Sequence, residues 1–282
     1  MTYSINPSDD ELYELQTAIK ESKEQQQRQD LVIQKLRSDN EKLKVHDKMQ
    51  KQFVCIAAHE LRTPIQPIIG LTESLRSKIT DAEQVQLLDA IIRNAKRLQR
   101  LTEDLLDVTK IESHLISLKK EKLNLIDLVS SCMQDYINQF ASNKITFNLL
   151  YENKSDRDFF LEADSSKLAQ VISNLLSNAI KFIKESGVGG GTISVIVERK
   201  DVSHIAVRIK DNGIGINPVI LPTLFTKFAT KSERGGTGLG LFISKSIIEA
   251  HGGKICAENN ADGKGATFTF ILPAMEITHN KR

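Results

Sequence analysis

Glycine and proline are spread so unevenly along these 282 residues that two architectures must be joined in one chain. Fourteen of the fifteen glycines follow residue 186, the exception being Gly70, and between Ser8 and Gly187 the only prolines are Pro64 and Pro67. Both residue types interrupt helices, so their absence over 8–63 and 71–116 permits very long ones. The glycine-rich second half instead demands loops with positive φ or close backbone approach.

The first half reads as helix. Placing Leu12 at a heptad a position puts Leu15, Ile19, Ile33, Leu36, Asn40, Leu43 and Val54 at a or d. Ser22, Gln26, Gln29, Asp47 and Gln50 interrupt that seam, which fits a broken coiled coil over 1–50 and not a strong zipper. A solvated charged helix is the other reading of the same residues. Residues 51–78 carry an apolar face of Phe53, Ala57, Leu61, Pro64, Ile68, Leu71 and Leu75. Over 81–113, Leu88, Ile91, Ala95, Leu98, Leu105 and Val108 repeat at helical spacing. Two such helices joined around Ser77–Asp81 make an antiparallel hairpin. One hairpin cannot hide both faces, so a dimeric four-helix bundle over 51–116 is expected.

Past Ser113 the pattern changes. Strands are expected at 118–123, 144–150, 158–163, 192–199, 203–210, 254–258 and 266–272, and helices at 126–140, 165–184 and 239–251. Strands and helices mixed without strict alternation point to an α+β sandwich over 117–282, a mixed sheet with helices on one face.

Composition narrows the function classes. Thirty-eight basic against thirty-six acidic residues leave +2, too little to nominate nucleic acid or an anionic membrane as partner. No run of eighteen apolar residues and no signal peptide is present, so no membrane span is expected. Cys55, Cys132 and Cys256 form no C-x-x-C, which suits a reducing cytoplasm. Residues 1–50 hold no recognisable sensor fold, so an upstream sensor domain or a partner is expected to supply any input.

Of six histidines, none pairs with another at metal-ligand spacing, and His59 stands apart through its neighbours. On a helix it lies about 200° from both Ala57 and Leu61, so with those two inward its imidazole faces water. Thr63 shares its face one turn on, and the Glu60 carboxylate can reach the ring. A carboxylate that takes the proton of one ring nitrogen makes the other a better nucleophile. Pro64 and Pro67 remove the amides that would bond the Glu60 and Thr63 carbonyls, which predicts a kink just past the histidine.

Four clusters in the second half suggest a phosphate site. Asn174, Asn178 and Lys181 recur at i, i+4, i+7 on one helix face, an amide oxygen suiting Mg²⁺ and a lysine suiting phosphate. Asp211-Asn-Gly213-Ile-Gly215 ends a strand, where a carboxylate can accept the exocyclic amine of adenine; Asp-Asn-Gly is also an ordinary turn. Phe225-Thr-Lys-Phe228 followed by Ala229–Arg234 reads as an apolar anchor and a basic lid, in which Lys227, Lys231 and Arg234 are phosphate ligands or solvated charges. Gly235-Gly236-Thr237-Gly238-Leu239-Gly240 opens a helix whose free amides favour an anion.

Together, in this order over residues 51–273, these segments resemble the sensor histidine kinases of two-component signalling. His59–Pro64 resembles the phosphoacceptor box, Asn174–Phe182 the N box, and Asp211–Gly215 the first glycine box. Phe225–Phe228 resembles the F box and Gly236–Gly240 the second glycine box. The resemblance implies ATP and Mg²⁺ as cofactors, with His59 phosphorylated, Glu60 the acid/base, and Thr63 positioning water for response-regulator dephosphorylation. It implies Asn178 on Mg²⁺ and Asp211 on adenine. Asn174, Lys181, Gly213, Gly215, Phe225 and Lys231, with Thr237, Gly238, Leu239 and Gly240, would complete the nucleotide site. ATPases of the same fold place a Glu general base where Asn174 stands, so transfer to a side chain is expected over hydrolysis. The implied protein is a homodimer passing phosphate from His59 to the receiver domain of a response regulator. A nucleotide-binding scaffold and a phosphatase-dominant regulator are the alternatives.

Overall fold

The computed structural model describes residues 9–113, 117–137, 140, 144–151, 159–187, 190–229 and 237–275, and in the first helix the side chains from residue 25 on, except residue 48. The chain divides into two compact units, Met1–Glu60 and Leu61–Arg282. Lys231, Arg234, Gly235 and Gly236 lie outside the described residues.

The described part of the first unit is one helix, the leading portion of α1 (Asp9–Arg76). Its expected seam residues Ile33, Leu36 and Leu43 are exposed in the single chain, and Val54 is half-buried. Surface pairs such as Asp47–Lys51 at 2.6 Å and Glu41–Lys44 at 3.1 Å span one helical turn, each worth a few tenths of a kcal/mol. The helix runs through Pro64 and Pro67, so losing two amides does not end it.

In the second unit the last turns of α1 pair with α2 (Ala82–Glu112). The Asp81 carboxylate accepts the Gln84 amide at 2.9 Å, an N-cap worth about 1 kcal/mol. Ile65 and Ile69 pack with Ala95, while Lys96–Glu73 at 2.6 Å and Arg76–Asp89 tie the surface. The buried stripe therefore differs from the expected one. Leu61, Ile68, Leu71 and Leu75 on α1, with Ile91 and Leu98 on α2, are exposed. The two α1 stripes lie about 100° apart. Periodicity detects one broad apolar face; it does not divide that face between a hairpin partner and whatever covers the rest.

The remainder is the expected α+β sandwich. Strands β1 (Glu121–Asn124) and β3 (Phe160–Ala163) form a small antiparallel ribbon. The main sheet runs β2 (Ile145–Tyr151), β4 (Gly191–Asp201), β5 (His204–Asp211), β7 (Ala266–Pro273), β6 (Lys254–Asn259), parallel only at β2–β4. Alternate residues Ile193, Val195 and Val197 on β4, Ile205, Val207 and Ile209 on β5, and Phe268, Phe270 and Leu272 on β7 are buried. They share one apolar core with α3 (Leu125–Gln134), α4 (Ser165–Glu185) and α5 (Gly240–Ala250). Helix α3 ends six residues short of its expected end. Past it, the Tyr136 hydroxyl donates to the Ser173 carbonyl at 3.2 Å. Among the described residues no helix is long and apolar enough to cross a membrane.

The start of α4 is held by a buried network. Asp164 caps it, accepting the Lys167 amide at 3.1 Å and the Lys119 amide at 2.9 Å. The Asp164 amide in turn donates to His251 Nε2 at 3.0 Å, while His251 Nδ1 lies 2.8 Å from the Ile247 carbonyl. A ring with one nitrogen accepting and the other donating is neutral, and burial accordingly lowers the His251 pKa from its ordinary 6.5. The unfolded chain thus binds the proton more readily, so this contribution to stability is lost as pH falls below about 6.5. His251→Gln is expected to lose about 1–3 kcal/mol at pH 7.5 and to flatten the stability slope between pH 6.5 and 5. Denaturant melts of both proteins across that range measure it; parallel slopes would refute it.

Candidate functional site

The first unit presents His59. Its side chain is 71% exposed, and Nδ1 lies 3.7 Å from the Glu60 carboxylate, itself 74% exposed. Ala58, immediately before it, is fully buried, so successive residues of one helix turn the imidazole to solvent and the methyl inward. The ring stands as the spacing predicts, with Nδ1 toward an acid. Thr63, in the second unit, is also exposed.

In the second unit three elements converge. On α4, Val171, Ile172, Leu175, Leu176, Ala179, Ile180 and Ile183 are buried, while Asn174, Asn178 and Lys181 are half-buried along the adjoining stripe. Lys181 Nζ lies 4.0 Å from Glu185 and 5.6 Å above the Phe182 ring.

At one end of this stripe stands the loop after β5. Asp211 is 3% exposed, and its Oδ1 accepts the Gly213 amide at 2.8 Å and the Ala266 amide at 3.4 Å. Burial pushes this carboxyl above the usual range, partly offset by those amides. Gly213 is pressed against the α4 backbone, where an added Cβ would stand 2.8 Å from the Phe182 carbonyl carbon. Gly215 has φ +75°, and the next amide, of Ile216, donates to Asn259 Oδ1 at 2.7 Å. Behind the loop Gly265, at φ +77°, passes so close that a Cβ would overlap the Asp211 carbonyl oxygen. Asn260 ties the same carbonyl at 2.7 Å.

At the other end the glycine turn enters α5. Gly240 lies on Asn174, whose amide a Cβ at 240 would overlap, and Asn174 Nδ2 donates to Ser244 Oγ at 2.9 Å. The Asn174 amide thus joins α4 to the first turn of α5. Leu239 is buried, and its amide donates to the Thr237 hydroxyl at 3.1 Å. Gly238, at φ +67°, packs on the Phe228 backbone, while Phe225 is half-buried against the core. The stripe from Asn174 to Phe182 covers about 12 Å of helix, floored by α4 and closed at its ends by Asp211 and the glycine turn.

Several participants carry no sequence signal of their own. Ser244, Asn259 and Asn260 orient the predicted residues from dozens of positions away. Helix α2 also reaches this unit. Thr237 Oγ1 donates to Asp104 Oδ2 at 3.2 Å, Lys227 pairs with Glu112, and Lys167 pairs with Asp107 at 3.0 Å.

The comparisons agree with this geometry. Residues 49–114 match the His Kinase A (phospho-acceptor) domain, and residues 163–276 match the family described as histidine kinase-, DNA gyrase B- and HSP90-like ATPase. The chain is 33% identical over 237 residues to the sensor histidine kinase WalK of Bacillus subtilis, a match covering 82% of this chain and 38% of that protein. The chain thus spans well under half the length of that relative. The crystal structure of full-length ShkA in complex with AMPPNP superposes with a TM-score of 0.65 at 23% identity, covering 80% of this chain and 46% of that one. Histidine kinase ThkA, in complex with the response regulator TrrA, gives 0.52 at 26% identity, covering 79% and 61%. Phospho-acceptor helices, ATPase-type sandwich and relatives point the same way: the chain belongs to the sensor histidine kinases of two-component systems.

Proposed function

We propose that this protein is an ATP-dependent protein-histidine kinase that autophosphorylates on His59 and passes the phosphoryl group to an aspartate of a response regulator. The observation that carries this reading is the exposed His59 ring with the Glu60 carboxylate on its Nδ1 side. The bound nucleotide supplies the phosphoryl group. His59 Nε2 offers the lone pair that takes it as the bond from the γ-phosphorus to the β,γ-bridging oxygen breaks and ADP leaves, and Glu60 accepts the proton that the imidazolium must lose at Nδ1. Asp211 and its glycines hold adenine, and Thr237 through Gly240 offer amides and a hydroxyl to the phosphates. Lys181, Lys227 and Lys231 add positive charge to meet the phosphates, and Phe225 anchors the segment that carries the last two.

The residues suit Mg²⁺ as well. The Asn178 amide oxygen is a hard, half-buried donor one helical turn from Asn174, on which Gly240 packs, and a nucleotide-bound Mg²⁺ needs few protein ligands because phosphates and water supply the rest. The mechanism is positioning and charge neutralisation, consistent with an asparagine, incapable of general-base work, at position 174.

In this reading 1–50 is a signal-transmitting coiled coil, 51–116 the dimerisation and phosphotransfer domain, and 117–282 the catalytic domain. The exposed Leu61, Ile68, Leu71, Ile91 and Leu98 support a homodimer, since two hairpins bury what one leaves in water. The free cysteines suit the cytoplasm. Thr63, exposed one turn past His59, orients the water that dephosphorylates the regulator. Thr63→Ala is therefore expected to slow regulator dephosphorylation by about 10-fold or more while autophosphorylation stays within two-fold. Release of phosphate from a prephosphorylated receiver domain measures the first and labelled ATP the second. Equal loss of both would show that Thr63 serves the kinase step.

A further inference from the structure

Helix α2 lays a row of carboxylates on the nucleotide side of the sandwich. Val108, 7% exposed, sits in the apolar core of that unit with Ile111 packed against it, so the contact has an apolar anchor. Around it, Asp107 receives Lys167 Nζ at 3.0 Å and Gln170 Nε2 at 2.7 Å. The two outer carboxylates reach the segments that flank the glycine turn. Asp104 accepts the Thr237 hydroxyl, and Glu112 pairs with Lys227, whose ammonium also stands 5.4 Å over the Phe242 ring. Burial pushes the Asp104 carboxyl up, partly offset by the Thr237 hydroxyl, as for a group docked against protein.

We infer that Asp104 and Glu112 of α2 are internal competitors for the donors that bind nucleotide phosphates, so that α2 docking and ATP binding weaken each other. The inference rests on the proposed function, in which Thr237 and Lys227 face the phosphates. A carboxylate oxygen and a phosphate oxygen make the same hydrogen bonds to a hydroxyl and an ammonium, so one set of donors cannot satisfy both at once. Like charge adds to the exclusion, because a triphosphate brought to Thr237 and Lys227 meets two carboxylates already there. By linkage, docking of α2 weakens nucleotide binding by the same factor as bound nucleotide weakens docking, so a variant that loosens the α2 contact tightens nucleotide binding.

The test is titration of the full chain with a fluorescent ATP analogue in the presence of Mg²⁺. The double variant Asp104→Asn, Glu112→Gln keeps shape and removes both charges, and is expected to bind the analogue at least ~5-fold tighter than wild type. Asp104→Asn alone keeps the Glu112–Lys227 pair and should show part of the gain. Glu103→Gln removes a neighbouring charge that touches neither Thr237 nor Lys227, and should stay within about two-fold. Unchanged affinity in the double and single variants, or equal tightening in Glu103→Gln, overturns the inference and leaves ATP binding standing. Failure of folded wild type to bind any nucleotide overturns the underlying function and the inference with it.

Discussion

Asp211→Asn is expected to raise the dissociation constant for ATP by about 100-fold or more, a loss of about 2.7 kcal/mol. The carboxylate is buried at the end of β5 with Oδ1 committed to the Gly213 and Ala266 amides, so Oδ2 is the oxygen that remains for the adenine amine. An asparagine at the same place has one oxygen for both duties. Either a backbone amide loses its acceptor or the adenine amine meets an NH₂ group, and a buried donor facing a donor costs about 1–3 kcal/mol in addition to the lost bond. The fold should survive, because Gly265 and Asn260 grip the Asp211 main-chain carbonyl and not its side chain. Calorimetric titration with ATP and a thermal melt separate the two effects. An affinity within about three-fold of wild type would remove Asp211 from the nucleotide site.

His59→Gln is expected to reduce phosphate incorporation from labelled ATP to background while nucleotide affinity stays within about two-fold, because it removes the acceptor ring that Glu60 faces. Glu60→Gln keeps the acceptor and removes the carboxylate on Nδ1, so the label should appear about 100-fold more slowly. The pair of variants distinguishes an acceptor from its activator: one abolishes the product and the other delays it. Label surviving at wild-type level in His59→Gln would place the phosphate elsewhere.

Much of this was legible in the order of residues. The strands lie within three positions of where alternating β-branched runs put them, since Ile193-x-Val195-x-Val197 can bury only one face of a sheet. Helices α4 and α5 begin within one residue of the expected starts, because Asp164 is a strong cap and a glycine turn sets the entry to α5. His59 is exposed as expected, but on a different inward face from the one expected: Ala58 is fully buried, while Ala57 is half-buried and Leu61 exposed.

What was illegible is long-range. Nothing local reveals that Thr237 meets Asp104, 133 residues earlier, or that Asp164 meets His251 across 87. Asn174, read as a ligand-facing amide, is also the link between α4 and α5, a role visible only once Gly240 and Ser244 are beside it. The broad apolar face of α1 was found, but its division between Ile65 and Ile69 inside and Leu61 and Ile68 outside depends on where α2 lies.

An imidazole that takes the phosphate becomes a phosphoramidate, whose stability differs from that of any hydroxyl ester. Wild-type protein is incubated with γ-labelled ATP and Mg²⁺, then divided between acid and alkali before the labelled residue is mapped. A phosphoramidate on His59 is predicted, lost in acid and kept in alkali. Phosphate that survives acid and leaves in alkali, as a serine or threonine ester does, would rule out His59 as the acceptor, and nucleotide binding with no label at all would rule out a histidine kinase.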